Sequence, residues 1–166
     1  MNKLSIESIN AKTPYQVKFK QETSSYLFTS ESNVDYAVDF TLDDLVQKDK
    51  AYQFVIANLN NKKSPRDKFV KETVVAIIEE FFKKNNSTIL ILYSTDDNKQ
   101  SARCRLFEHW FETFSNKNLF IMKTSSVIDE YGIENIASII LRKDNPKQQE
   151  LLEEFDFSIN MFRNKP

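Results

Sequence analysis

Four residues near the middle of the chain have the types and spacing of an anion site: Asp96, Asp97, Gln100 and Arg103. They follow an apolar run, Thr88 to Tyr93, that reads as a strand, and they open a segment of helical spacing. A helix N-terminus directs unsatisfied backbone N–H groups at whatever lies before it. At about 100° per residue the apolar arc of this helix centres between Leu106, Trp110 and Phe114, with Arg103 near its middle and Gln100 on its edge. An arginine turned towards a core cannot shed its charge, so it needs a counter-ion. Asp96 or Asp97 can supply one, which gives a structural bridge beside a capping aspartate. The functional alternative is an external anion or carboxylate held by Gln100, Arg103 and the helix N-terminus. Two adjacent carboxylates without further ligands specify no metal.

A second group precedes the other long helical pattern. Lys62, Lys63, Ser64 and Arg66 stand in the loop from Asn58 to Arg66, with Lys68 and Lys71 just beyond. Cations in front of a helix can meet phosphates. Glu72, Glu79 and Glu80 follow, and the loop has no aromatic ring to stack on bases. A solvated surface of mixed charge is the simpler reading. The 23 Lys and Arg balance 24 Asp and Glu, and a net charge of −1 argues against a protein built to hold nucleic acid. One His and one Cys leave no zinc site and no internal disulfide. His109 falls on the flank of its helix and reads as a surface residue. Cys104 falls on the inner side with Phe107, Phe111 and Phe114 and reads as a small core residue. A single glycine, where ordinary usage would give roughly a dozen, removes the glycine-rich phosphate loops.

The elements that must position these residues follow from periodicity. Tyr15, Val17 and Phe19 alternate with polar residues; so do Tyr26 and Phe28, then Tyr36, Val38 and Phe40, then Tyr52, Phe54 and Ile56. Alternation of aromatic and β-branched residues marks half-buried strands, here a four-stranded antiparallel meander over about residues 15 to 58. With so little glycine, Asn33 is the expected left-handed turn residue. Ser64-Pro65-Arg66-Asp67 reads as a helix start with Ser64 as cap, and Phe69, Val70, Val74, Ile77, Ile78, Phe81 and Phe82 follow at helical spacing. Asp97 to Gln100 reads as a second capping pattern. Leu119 to Lys123 and Asn135 to Arg142 read as two strands. Asn145-Pro146 opens a last helix with Leu151, Leu152, Phe155, Ile159 and Phe162 inward, while Phe157 and Met161 fall off that stripe. Met1 to Thr13 reads as a polar, flexible lead-in. No linker-like stretch interrupts the pattern, so one domain over residues 1–166 is expected: α+β, a mixed, mostly antiparallel sheet of about seven strands with three helices.

That order, β4-α-β-α-β-β-α, resembles the GCN5-related N-acetyltransferase fold over roughly residues 25 to 143. Asn98, Ala102 and Leu106-Phe107-Glu108 stand close to where that family shows an Asn, an Ala and a Leu-Tyr-Glu-type stretch. The resemblance implies an acyl-CoA donor between the fourth and fifth strands, with Lys62, Lys63, Ser64 and Arg66 at its pyrophosphate. The departures weigh against it. The matching loop has no glycine and Pro65 removes a donor. The family's general-acid tyrosine falls near Phe107, and the strand Ala51 to Asn58 offers no glutamate as base. The chain also resembles an uncharacterised family of small bacterial proteins, a domain of unknown function, through the Arg-x-Arg-Leu-Phe-x-x-Trp-Phe stretch at Arg103 to Phe111. That resemblance implies no activity.

The expected function is therefore a non-catalytic binding or protein-interaction module on a degenerate acetyltransferase-like scaffold, working without a cofactor. Its partner is another protein or a second copy. The alternative is a divergent acyl-CoA-dependent N-acyltransferase using acetyl-CoA, and the third reading is a nucleic-acid accessory protein using the basic loop. No apolar stretch has the length of a signal or a membrane span. With an unpaired cysteine, this places the expected protein in the cytoplasm.

Overall fold

Alternation in the first third produces the expected burial. Tyr15, Val17, Tyr26, Phe28, Tyr36, Val38, Tyr52 and Phe54 are all buried, in or beside strands β1 (Lys18–Lys20), β2 (Ser25–Thr29), β3 (Asp35–Asp43) and β4 (Ala51–Asn58). Side chains on one face of a strand recur every second residue, and pairing sets Tyr26 opposite Val38 and Phe28 opposite Tyr36. The β2–β3 turn closes through Asn33, which takes φ 55° and donates its N–H to Ser30 O at 2.9 Å. The computed structural model describes residues 1–163, with side chains through Met161. The inward placement expected of Phe162 lies outside the described side chains.

Three long helices follow the meander: α2 (Lys68–Lys84), α3 (Gln100–Glu112) and α4 (Gln148–Arg163). A short α1 (Ile6–Asn10) precedes it. Strand β5 (Thr88–Tyr93) lies between α2 and α3, and the hairpin β6 (Phe120–Ile128) and β7 (Glu134–Arg142) lies between α3 and α4. The strands form one seven-stranded sheet in the order β1-β2-β3-β4-β5-β7-β6. The pairs β1–β2, β2–β3, β5–β7 and β6–β7 are antiparallel, while β4 and β5 run parallel, Ala51 to Gln53 beside Thr88 to Leu90. The architecture is the α+β class, with the mixed, mostly antiparallel sheet that the sequence predicts.

The chain divides into two compact units. The first comprises residues 1–40 and 54–86. Its core is aromatic: Phe40 stacks on Phe81 with centroids 4.6 Å apart and meets Phe54 at 5.7 Å. The segment Met1 to Thr13 belongs to this core and is not a loose lead-in. Leu4 and Ile9 are 2% and 0% exposed. Asn2 binds Asn85 Oδ1 through its N–H and Lys84 O through its side chain, each at 2.7 Å, which satisfies groups at the end of α2.

The second unit comprises residues 41–53 and the chain from Ser87 onward. Leu151, Phe155 and Ile159 of α4 pack against Val46, Ala51, Leu90, Ala137, Ile139 and Leu141. Alternation along β7 turns Ser138 the other way, towards Tyr93 and Thr124. Strand β6 runs five residues further than the sequence suggests. The polar stretch Thr124-Ser125-Ser126 stays in the ladder because each residue has a partner on β7.

Both expected helix starts are displaced. Ser64 does not cap α2, because its hydroxyl is hydrogen-bonded to the Tyr36 hydroxyl. Asp67 caps instead, accepting from Phe69 N–H at 2.8 Å, and Pro65 lies outside the helix. At α3 the N-cap is Lys99, without a side-chain cap bond. Asp97 accepts from Lys99 N–H two residues on, a local turn that competes with capping.

Candidate functional site

The structure brings Asp97 and Arg103 together. Both guanidinium Nη atoms donate to Asp97 Oδ1, at 2.7 and 2.6 Å, and the two side chains remain 34% and 46% exposed. Asp96 turns away into its own loop, where Ser94 Oγ donates to its carboxylate at 2.9 Å. Arg103 thus has an aspartate partner, but the pair lies at the surface and not in the core, so burial of the charge is not what requires it. The inner face of α3 is Gln100 and Cys104, at 7% and 6% exposure, while Leu106 is 46% exposed. Arg103 lies on the flank. The inner face departs from the apolar arc of the sequence because Gln100, a polar residue, occupies its centre. An exposed ion pair contributes about 0–1 kcal/mol. Arg103→Leu is thus expected to change unfolding free energy by less than about 1 kcal/mol in a urea titration. A loss above about 3 kcal/mol would mean that the charge is buried and essential.

Gln100 is held by one bond: its Nε2 donates to Glu134 O at 3.0 Å. Its Oε1 is buried without a hydrogen-bond partner. Beside it, Ser101 Oγ donates to Glu134 Oε2 at 3.3 Å. Deeper under α3, Tyr93 and Thr124 hydroxyls meet Ser138 Oγ at 3.1 and 2.8 Å. Burial pushes the Tyr93 phenol above its usual range. It also raises the Cys104 thiol, and the nearby Glu108 carboxylate adds to that. A thiol raised in this way carries little thiolate and is a poor nucleophile. His109 is exposed on the opposite side of the helix.

The basic loop stays at the surface of the first unit. Lys62, Lys63, Ser64 and Arg66 are all exposed. Asn61 takes the left-handed conformation, φ 53°, that glycine would otherwise supply. The N-terminus of α2 is occupied by a protein carboxylate: Asp67 accepts from Phe69 N–H and, at 2.5 Å, from the Tyr15 hydroxyl. An incoming diphosphate would meet that negative charge where it needs donors.

A feature outside the sequence reading is a groove of about 560 Å³ on the first unit, walled by Lys18, Leu27, Asp35 and Asn60. Asp35 accepts from Thr29 Oγ1 and Asn60 Nδ2, at 2.8 Å each, which fixes its carboxylate. None of the eight candidate residues lines this groove. Its walls come from side chains on neighbouring strands and from the loop after β4, and a one-dimensional pattern reads those as ordinary solvated positions.

Apolar exposure is concentrated in the second unit. Leu106, Leu119, Ile128, Tyr131, Phe157 and Met161 are 46%, 59%, 69%, 80%, 66% and 54% exposed. The off-stripe placement of Phe157 and Met161 is as the sequence suggests. On α3, Phe107 and Trp110 pack ring to ring at 5.1 Å, and Phe114 lies 6.1 Å from Phe120. All four rings, and that of Phe111, are only half-buried.

Among the described residues no group of three or more His, Cys, Asp or Glu side chains is placed to hold a metal ion, and no helix is long and apolar enough to cross a membrane. No curated protein and no solved structure matches the chain. A family model does match, over residues 66–157, from the loop before α2 into α4, and this is more than half of the sequence. That segment contains the Arg103 to Phe111 stretch and the whole of α3. The chain therefore belongs to the Family of unknown function (DUF6169).

Proposed function

We propose that this chain is a non-catalytic protein-interaction module, acting in the cytoplasm, whose partner docks on the apolar surface of the second unit. The observation that carries this reading is the incomplete burial of α3. Of its 13 residues only Gln100 and Cys104 are buried, although Leu106, Phe107, Trp110 and Phe111 give it a wide apolar stripe. A surface helix normally hides such a stripe against its own core. Aromatic rings left half-open are the residues that anchor protein interfaces, because they bury much area and lose little side-chain entropy. Exposed Leu106 on the same helix extends this apolar surface.

The reading includes an acetyltransferase-like scaffold that lacks acyl-transfer machinery. Asp67 already fills the N-terminus of α2, the Ser64 hydroxyl is engaged by Tyr36, and Phe107 has no proton to give. The alternative, a divergent acyl-CoA-dependent N-acyltransferase, would rely on the exposed charges of Lys62, Lys63 and Arg66. A thermal titration separates the two. A ligand at about 100 times its Kd adds about 2.7 kcal/mol of stability, which is a shift of several degrees in a chain of this size. The expected result is an unchanged Tm with coenzyme A and with acetyl-CoA. A rise of several degrees that Lys62→Glu plus Lys63→Glu removes would establish the acyltransferase instead.

A further inference from the structure

We infer that the chain also pairs with a second copy of itself, edge to edge along β6, antiparallel about a two-fold axis at Thr124. The inference rests on the reading of the second unit as an interaction module, and it names the partner for one margin of it. β6 is the last strand of the sheet. It is nine residues long and pairs with β7 without interruption from Phe120↔Arg142 to Ile128↔Glu134, so it has no bulge. It contains neither proline nor glycine. Soluble proteins blunt such an edge with bulges, prolines, short strands or charges. The only charge on β6, Lys123, is engaged by Asp156 of α4.

The sequence of the strand is complementary to itself. Reading outward from Thr124, the two-fold sets Phe120 opposite Ile128 of the second copy, Ile121 opposite Val127, Met122 opposite Ser126 and Lys123 opposite Ser125. Apolar ends meet apolar ends, and the polar middle meets itself. Period two fixes the choices further. Residues facing each other across the new ladder must lie on the same face, so the register can shift only in steps of two. Centring on Lys123 would oppose two ammonium groups, and like charges directly opposite are destabilising. Centring on Ser125 would strand Phe120 and Ile121 beyond the end of the ladder. Only the Thr124 register matches all nine residues. It also covers Ile128, 69% exposed in the single chain, with the half-buried Phe120.

The register makes Ser125 the decisive position. It is half-buried and faces Lys123 of the other copy twice per dimer. Ser125→Glu should tighten the dimer and Ser125→Lys should loosen it, each by roughly tenfold in Kd, because opposite-charge cross-strand pairs stabilise and like-charge pairs oppose. Sedimentation equilibrium over a range of concentrations reads this directly. The wild-type chain should rise from its 19.5 kDa mass to twice that value, with the Glu variant doing so at lower and the Lys variant at higher concentration. Circular dichroism confirms that both variants fold. Two results overturn the inference: a 19.5 kDa species at every concentration, or a dimer whose Kd ignores the sign of the charge at residue 125. A chain that stays single yet still carries a different polypeptide sinks the β6 pairing alone and leaves the interaction module standing.

Discussion

Replacing Phe155 by alanine is expected to cost about 3–5 kcal/mol, the range for removing a buried ring from a packed core. Phe155 is 0% exposed, and it is surrounded by Leu90, Ala137, Ile139 and Leu141 from the sheet and by Leu151 and Ile159 from its own helix. The cost of the cavity left behind adds to the lost transfer free energy. Two residues along the same helix, Phe157→Ala should be nearly silent, because that ring is 66% exposed. Urea titrations of the two variants side by side measure the orientation of α4. Equal losses would mean that Phe157 is buried as well, and the exposed apolar surface of the second unit would shrink accordingly.

The contrast between those two phenylalanines was legible in the sequence, since Phe157 falls off the Leu151, Phe155, Ile159 stripe. Strands were legible for the same reason. Tyr26, Phe28, Tyr36 and Val38 alternate, and alternation reports a half-buried face whatever the tertiary context. Asn33 at a left-handed turn followed from the scarcity of glycine, and Asn61 and Asn98, at φ 53° and 55°, repeat that solution. The misreadings have a common origin in partners distant along the chain. Ser64 lost its capping role to Tyr36, 28 residues away in sequence. The centre of α3 was misplaced because Gln100 is drawn inward by the Glu134 carbonyl, 34 residues on. Met1 to Thr13 reads as loose in sequence because its anchors, Glu80 in α2 and Asn85 just after it, lie some 75 to 83 residues away. The same limit applied to the candidate site. Sequence placed Arg103 and an aspartate together correctly, but only the fold shows the pair at the surface and the α3 rings half-open.

Trp110→Ala carries the largest expected effect on function. Trp110 is the sole tryptophan, it packs on Phe107 at 5.1 Å, and it is half-buried on a helix that hides only two of its residues. Truncating a central tryptophan anchor costs an interface about 2 kcal/mol or more, a loss of about thirtyfold or more in affinity. The fold should lose less than the roughly 3–5 kcal/mol of a core aromatic, because part of the ring never left water. Affinity should therefore fall far more than stability. Comparable losses in both would mark Trp110 as a packing residue and move the interface elsewhere.

Native mass spectrometry of the protein recovered from its own cells, wild type beside Trp110→Ala, bears most directly on the interaction module. It reports bound polypeptides and bound small molecules in one spectrum. The wild-type protein should carry the mass of a further polypeptide beyond any second copy of itself, and the variant should have lost it. A spectrum in which both forms hold nothing more, or hold a coenzyme A in its place, would contradict the reading.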